Sequence, residues 1–203
     1  NNFFPSKKDK LIQKLLNSEG YVNHQMNWWS DMLRVKDRPA GTNINVGSVY
    51  REWLRESLRD KKPYDEIVRN LISSSGELYG DGPEVSYYVR DRGMQEDNLS
   101  HTIRIFLGTR LQCAMCHDHP FDDWEQKDFY ELASFFGKTR RVENRFSRTV
   151  YTTEVEENRV LWPPEAEKPP SRSPVDAKFP FLLEEFDKKP AHLVRFESKR
   201  AKE

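Results

Sequence analysis

The chain has 203 residues, with 33 basic and 33 acidic side chains and a formal net charge of +0; 36% of the residues are hydrophobic and 33% are charged. From this balance no general electrostatic attraction to nucleic acid or to an anionic membrane follows. No apolar run approaches the roughly 18 residues of a membrane-spanning helix.

The length fits one domain, or one domain with extensions. The apolar share is low for a core of this size. An aromatic share of 12% makes up part of the deficit, because each aromatic ring buries a large area. Asn1 to Pro5 lacks a basic segment followed by an apolar one, so no secretory leader is read there. That absence does not assign the chain to the cytoplasm. The two cysteines lie within four positions of each other, which rules out a disulfide framework as the folding device.

In chain order, Ser6 is placed to cap a helix that presents Leu11, Ile12, Leu15 and Leu16 on one face. Gly20 separates it from a second helix, where Tyr21, Val22, Gln25, Trp28, Trp29, Met32 and Leu33 recur at three- and four-residue steps. Pro39 to Thr42 reads as a loop. Ser48 opens a third helix with Val49, Trp53, Leu54 and Leu58, broken at Lys61-Lys62-Pro63. Asp65 lies near the start of a fourth helix carrying Ile67, Val68, Leu71 and Ile72. Ser73 to Pro83 is turn-rich.

Asp97 or Asn98 caps a fifth helix, with Leu99, Ile103, Phe106, Leu107 and Leu111, which runs directly into the cysteines. A sixth helix carries Phe129, Tyr130, Leu132, Ala133, Phe135 and Phe136, and Gly137 is read as its closing glycine. From Arg141 to Glu157 the pattern alternates and is rich in Thr and Val, which reads as a two-stranded hairpin. After Trp162 the prolines mark an extended linker. Phe181, Leu182, Leu183 and Phe186 are apolar anchors before a charged tail. The expected division is a domain over 1–160 and a Pro-rich linker and tail over 161–203.

The segment Cys113-Ala-Met-Cys-His117 has the spacing of c-type haem attachment. Two thiols three positions apart on one turn can each form a thioether with the vinyl groups at one haem edge. The next residue, His117, is then set beneath the iron as its proximal ligand. One covalent haem c is therefore expected. Other readings stay open. A redox-active Cys-x-x-Cys pair normally opens a helix after a strand, and no strand precedes this one. A zinc site of Cys113, Cys116, His117 and His119 would crowd four ligands into seven residues, whereas structural zinc sites draw on separated pairs. A zinc site with other ligands, such as His24 or His101, stays open, as does a buried pair of free thiols with no role.

His119 either contacts a haem propionate or a metal, or holds the turn together. For the opposite haem face the candidates are His24, Met26, Met32, Met94 and His101, with His192 in the tail. Each is more simply an ordinary core or surface residue, and an open iron is equally compatible. The acids Asp118, Asp122, Asp123, Asp128 and Glu131 have the density of a solvated surface. Phosphate-binding glycine loops and hydrolase nucleophile motifs are absent.

Four blocks carry a resemblance: Tyr50 to Arg55, Lys62 to Arg69, Phe106 to Phe121, and Trp124 to Tyr130. In this order they resemble the planctomycete cytochrome-like domain, a bacterial family of unknown function, over roughly Leu11 to Val142. The resemblance implies Cys113, Cys116 and His117 as haem attachment and ligation, with His119 and Pro120 as part of the motif. It also implies export to the periplasm or cell surface, and a second planctomycete-specific domain following this one.

The fold expected is mainly α, with about six helices around a covalently bound haem, a small β hairpin and a Pro-rich C-terminal extension. The function expected is electron transfer outside the cytoplasm, to a redox partner protein or an adjoining domain of the same polypeptide. Two other readings are a haem enzyme with an open distal site, acting on a small oxidant or substrate, and a zinc- or haem-stabilised structural module of a larger surface protein.

Overall fold

The computed structural model describes residues 6–39, 43–80, 82–144, 146–163 and 172–179. The expected anchors Phe181, Leu182, Leu183 and Phe186, and His192, lie outside these residues. The described chain is mainly α, as expected: seven α-helices and a small antiparallel sheet. It divides into two compact units, Asn1–Arg92 with Arg141–Thr152, and Gly93–Arg140 with Thr153–Glu203.

The first unit begins with α1 (Lys7–Leu16). Ser6 and Asp9 form a reciprocal capping box, each side chain bonded to the other's backbone N–H, which satisfies two otherwise orphaned donors. α2 (Glu19–Met32) starts at Ser18, whose hydroxyl accepts from the Tyr21 N–H at 3.2 Å. Gly20, expected to separate the two helices, therefore sits in the first turn of α2. The Ser18 cap decides the boundary because it satisfies a helix donor, which a glycine cannot do.

α3 (Gly47–Arg59) packs against α2. Lys61, with φ of 53°, turns the chain out of it, and Pro63 precedes α4 (Tyr64–Ile72). The expected loop after Ser73 contains a short strand, β1 (Gly76–Glu77), and a 3₁₀ turn at Pro83–Val85. That turn leads into α5 (Ser86–Val89), whose four residues are all buried. A single fully buried turn has no amphipathic period to read. Ile44, Val46, Leu78, Val85, Val89 and Val150 form one core cluster of this unit.

The expected hairpin is present as β2 (Thr139–Asn144) and β3 (Thr149–Glu154). β3 is the central strand, with β1 antiparallel on its other side through Gly76↔Thr152 and Glu77↔Tyr151.

The second unit holds α6 (Gln95–Phe106) and α7 (Gln126–Ala133), the latter continued by a 3₁₀ turn at Ser134–Phe136. Within the expected Pro-rich stretch, β5 (Ser173–Pro174) pairs antiparallel with β4 (Leu161–Trp162), and Val175 is buried beside it. Gly137 closes the helical stretch at the end of the 3₁₀ turn, as expected, at φ −64°, an ordinary right-handed value. Its lack of a side chain serves packing: a Cβ there would lie 1.8 Å from Oδ1 of Asn158. Leu99, Ile103, Leu111, Ala114, Phe129 and Leu132 are among the residues of this unit's core.

Candidate functional site at the paired cysteines

α6 does not run into the cysteines, contrary to expectation. It ends at Phe106, and Gly108, at φ 67°, takes the left-handed conformation that turns the chain away. Leu107 and Leu111 keep a helical spacing in sequence while the backbone between them does not. The chain then descends through Leu111 into a 3₁₀ turn at Gln112–Met115.

Two buried side chains hold this turn down. Leu111 and Ala114 are fully enclosed in the core. The Ala114 N–H donates to the Leu111 carbonyl at 3.0 Å, and the Cys116 N–H donates to the Cys113 carbonyl at 3.2 Å. α7 grips the same turn from the side: the Tyr130 hydroxyl and the Gln126 side-chain amide both donate to the Met115 carbonyl, at 3.1 and 3.2 Å. Gln126 and Tyr130 stand four positions apart, on one face of α7. That spacing was available in the sequence; the backbone carbonyl they converge on was not.

The result is an anchored turn with its chemistry facing outward. Both cysteines carry free thiols; Cys113 is half-buried and Cys116 is exposed. His117 is exposed, and its Nδ1–H donates to the Asp118 carbonyl at 2.6 Å. His119 is committed to backbone at both ring nitrogens: Nε2–H donates to the Arg110 carbonyl at 3.2 Å, and Nδ1 accepts from the Phe121 N–H at 3.3 Å. Its own N–H donates to the Trp124 carbonyl at 2.8 Å. His119 thus ties the two ends of the loop together. Phe121 stands 94% exposed beside it.

The acids also have structural tasks. Asp118 Oδ1 accepts from the Gln126 N–H at 2.8 Å, in the first turn of α7. Asp128 accepts from the Glu125 N–H at 3.1 Å within a capping box. Asp122 accepts from the Asp123 N–H at 3.0 Å, and Glu131 lies 3.8 Å from Lys127.

These observations correct the expected cofactor. Among the described residues no group of three or more His, Cys, Asp or Glu side chains is arranged to hold a metal ion. The protein side of the turn is filled by its own core, where Leu111, Ala114 and Phe129 have no exposed surface. Both ring nitrogens of His119 are bonded to backbone, which leaves neither for a ligand. The residues present do not fit one covalent haem c on Cys113, Cys116 and His117, contrary to expectation. The zinc set of Cys113, Cys116, His117 and His119 falls on the same finding.

The candidates for a second iron ligand are dispersed. His24 is exposed on α2, where Met26 is buried in the core and Met32 half-buried. Met94 is 47% exposed at the start of α6, and His101 is half-buried along it. His24 and His101 join no metal-binding group.

No helix among the described residues is long and apolar enough to cross a membrane. No curated protein and no solved structure matches the chain. A family model does match, over residues 1–141, more than half of the chain, and its description assigns no function. The chain belongs to the PSCyt2 family of proteins of unknown function (DUF1549).

Proposed function

We propose that this chain is an electron-transfer module in which Cys113 and Cys116 act as a dithiol–disulfide couple. The pair does not open a helix after a strand, as redox pairs normally do; what carries the reading is an exposed and a half-buried free thiol, held on a single turn by the 3.2 Å bond from the Cys116 N–H to the Cys113 carbonyl. Residues closed by such an i to i+3 bond have Cα atoms within about 7 Å, close to the range a disulfide requires.

In the proposed reaction the exposed Cys116 thiolate attacks one sulfur of a partner protein's disulfide. A mixed disulfide forms and one partner thiolate leaves. The Cys113 thiolate then attacks the Cys116 sulfur and expels the second partner thiolate. Two electrons pass to the partner, and the two protons lost by the cysteines balance those taken up by the partner's thiols. The partner is a separate redox protein or an adjoining domain of the same polypeptide. The proposal includes a periplasmic or cell-surface location, since protein disulfides persist in oxidising compartments.

The test is equilibration of the chain in glutathione buffers of graded potential, followed by alkylation and mass measurement. Loss of both free thiols together, with a Cys113–Cys116 link in the peptide map, is the expected outcome. The Cys113→Ser variant should accumulate a mixed disulfide at Cys116. Thiols that stay free in the most oxidising buffer would overturn the reading. Labelling of Cys116 in intact cells by a membrane-impermeant maleimide tests the location.

A further inference from the structure

The even charge balance of the whole chain conceals a local concentration. α1 buries none of its residues. Its apolar side chains are left to solvent: Leu11 is 55% exposed, Ile12 40%, Leu15 56% and Leu16 40%. At 100° per residue these four occupy an arc of roughly 140° on the helix. Lys7 and Lys14 border that arc on one side, Lys8 lies at its N-terminal end, and Lys10 stands behind it. The one acid of the helix, Asp9, is engaged in the capping box with Ser6.

A second basic and apolar element belongs to the same unit. At the turn between β2 and β3, Phe146 is completely exposed, and Arg148 beside it is exposed at φ 52°. The Phe146 and Ser147 N–H groups donate to Oδ1 of Asn144 at 3.0 and 3.2 Å. Trp28, on the helix that α1 packs against, is also 55% exposed.

Which occupant suits these surfaces is decided by charge. A second copy of α1 would bring four more lysines against the first four. An acyl surface with anionic headgroups accepts the leucines in its boundary layer and the lysines among its phosphates. We infer that α1, aided by the Phe146 tip, docks this protein on an anionic lipid surface as a peripheral element that does not cross it. This inference stands apart from the dithiol chemistry.

The experiment is co-sedimentation of the full chain with vesicles of phosphatidylcholine alone and of phosphatidylcholine mixed with phosphatidylglycerol. Binding to the mixed vesicles, weak binding to the neutral ones, and release by high salt are expected. Lys7→Gln with Lys14→Gln should weaken partitioning roughly 25-fold, at about fivefold per lysine near an anionic surface. Leu11→Ser with Leu15→Ser, and separately Phe146→Ser, should weaken it while circular dichroism shows the rest of the fold unchanged. Equal binding to both vesicle types overturns the inference, as does binding to neither. Dimerisation abolished by the leucine variant, without lipid binding, assigns the face to a second copy and overturns it as well.

Discussion

Gly47 shows how far a single residue can be constrained by backbone alone. A Cβ there would lie 2.5 Å from the Lys36 carbonyl oxygen and 2.6 Å from the Asp37 Cα. Neither atom belongs to a side chain that could swing aside. Gly47→Ala should cost about 1–3 kcal/mol or more, and thermal unfolding should shift downward by roughly 2–4 °C for each kcal/mol. Tyr50, one turn along α3, poses a different constraint. It is fully enclosed, and its hydroxyl has no hydrogen-bond partner among the described residues. Burial pushes its pKa far above the usual 10.0, against the opposing pull of the Arg90 guanidinium. The folded phenol stays neutral where the unfolded one ionises. Its contribution is therefore complete below pH 10.0 and declines above it, by about 1.4 kcal/mol per pH unit. Urea titrations of Tyr50→Phe from neutral pH upward should show a shallower alkaline loss. Stability at neutral pH should be little changed, because an unpartnered buried donor has been removed. An unchanged alkaline slope would assign the effect to another group.

Among the elements, α1 is the one held by local rules. It has a capping box and no buried residue, so Ser6→Ala should remove about 1 kcal/mol of helix stability. Amide exchange should quicken within α1 while the rest of the chain keeps its protection. Asp9 accepts from the Ser6 hydroxyl and backbone N–H, and these bonds hold its carboxyl below the usual 3.8. The cap is therefore at full strength above that value and fades as acid is added below it, which exchange at low pH measures. The same locality made α1 legible in the sequence, where Ser6 and the leucine spacing stand in plain view. The boundary of α6 was not legible in this way. Leu107 and Leu111 continue its periodicity, and only the backbone of Gly108 reveals the turn between them. The cysteine pair was likewise readable from its spacing. Its supports were not, because Tyr130, Gln126 and His119 bond to main-chain carbonyls, which every residue possesses. The haem expectation failed for a related reason: five residues describe one edge of a site, and the surroundings they need are supplied by distant parts of the chain.

At the scale of the whole molecule, stability is built from two compact units, and each has buried clusters of its own. Phe129 has no exposed surface and contacts Tyr130 edge-on at 5.5 Å. Phe129→Ala should cost about 3–5 kcal/mol. Hydrogen exchange should show protection lost first in α6 and α7, with the amides of α2 and α3 following only under stronger denaturation; simultaneous loss throughout would mean that the chain unfolds as one. The anchoring of the cysteine turn in this core has a kinetic consequence. Leu111, Ala114 and the α7 side chains fix the turn before any oxidant arrives. On the proposed dithiol chemistry, closing a loop between the thiols requires little further ordering of the backbone, and the second thiol attacks from the same turn rather than from solution. A mixed disulfide at Cys116 would then be resolved from within the turn sooner than by a thiol arriving from solution.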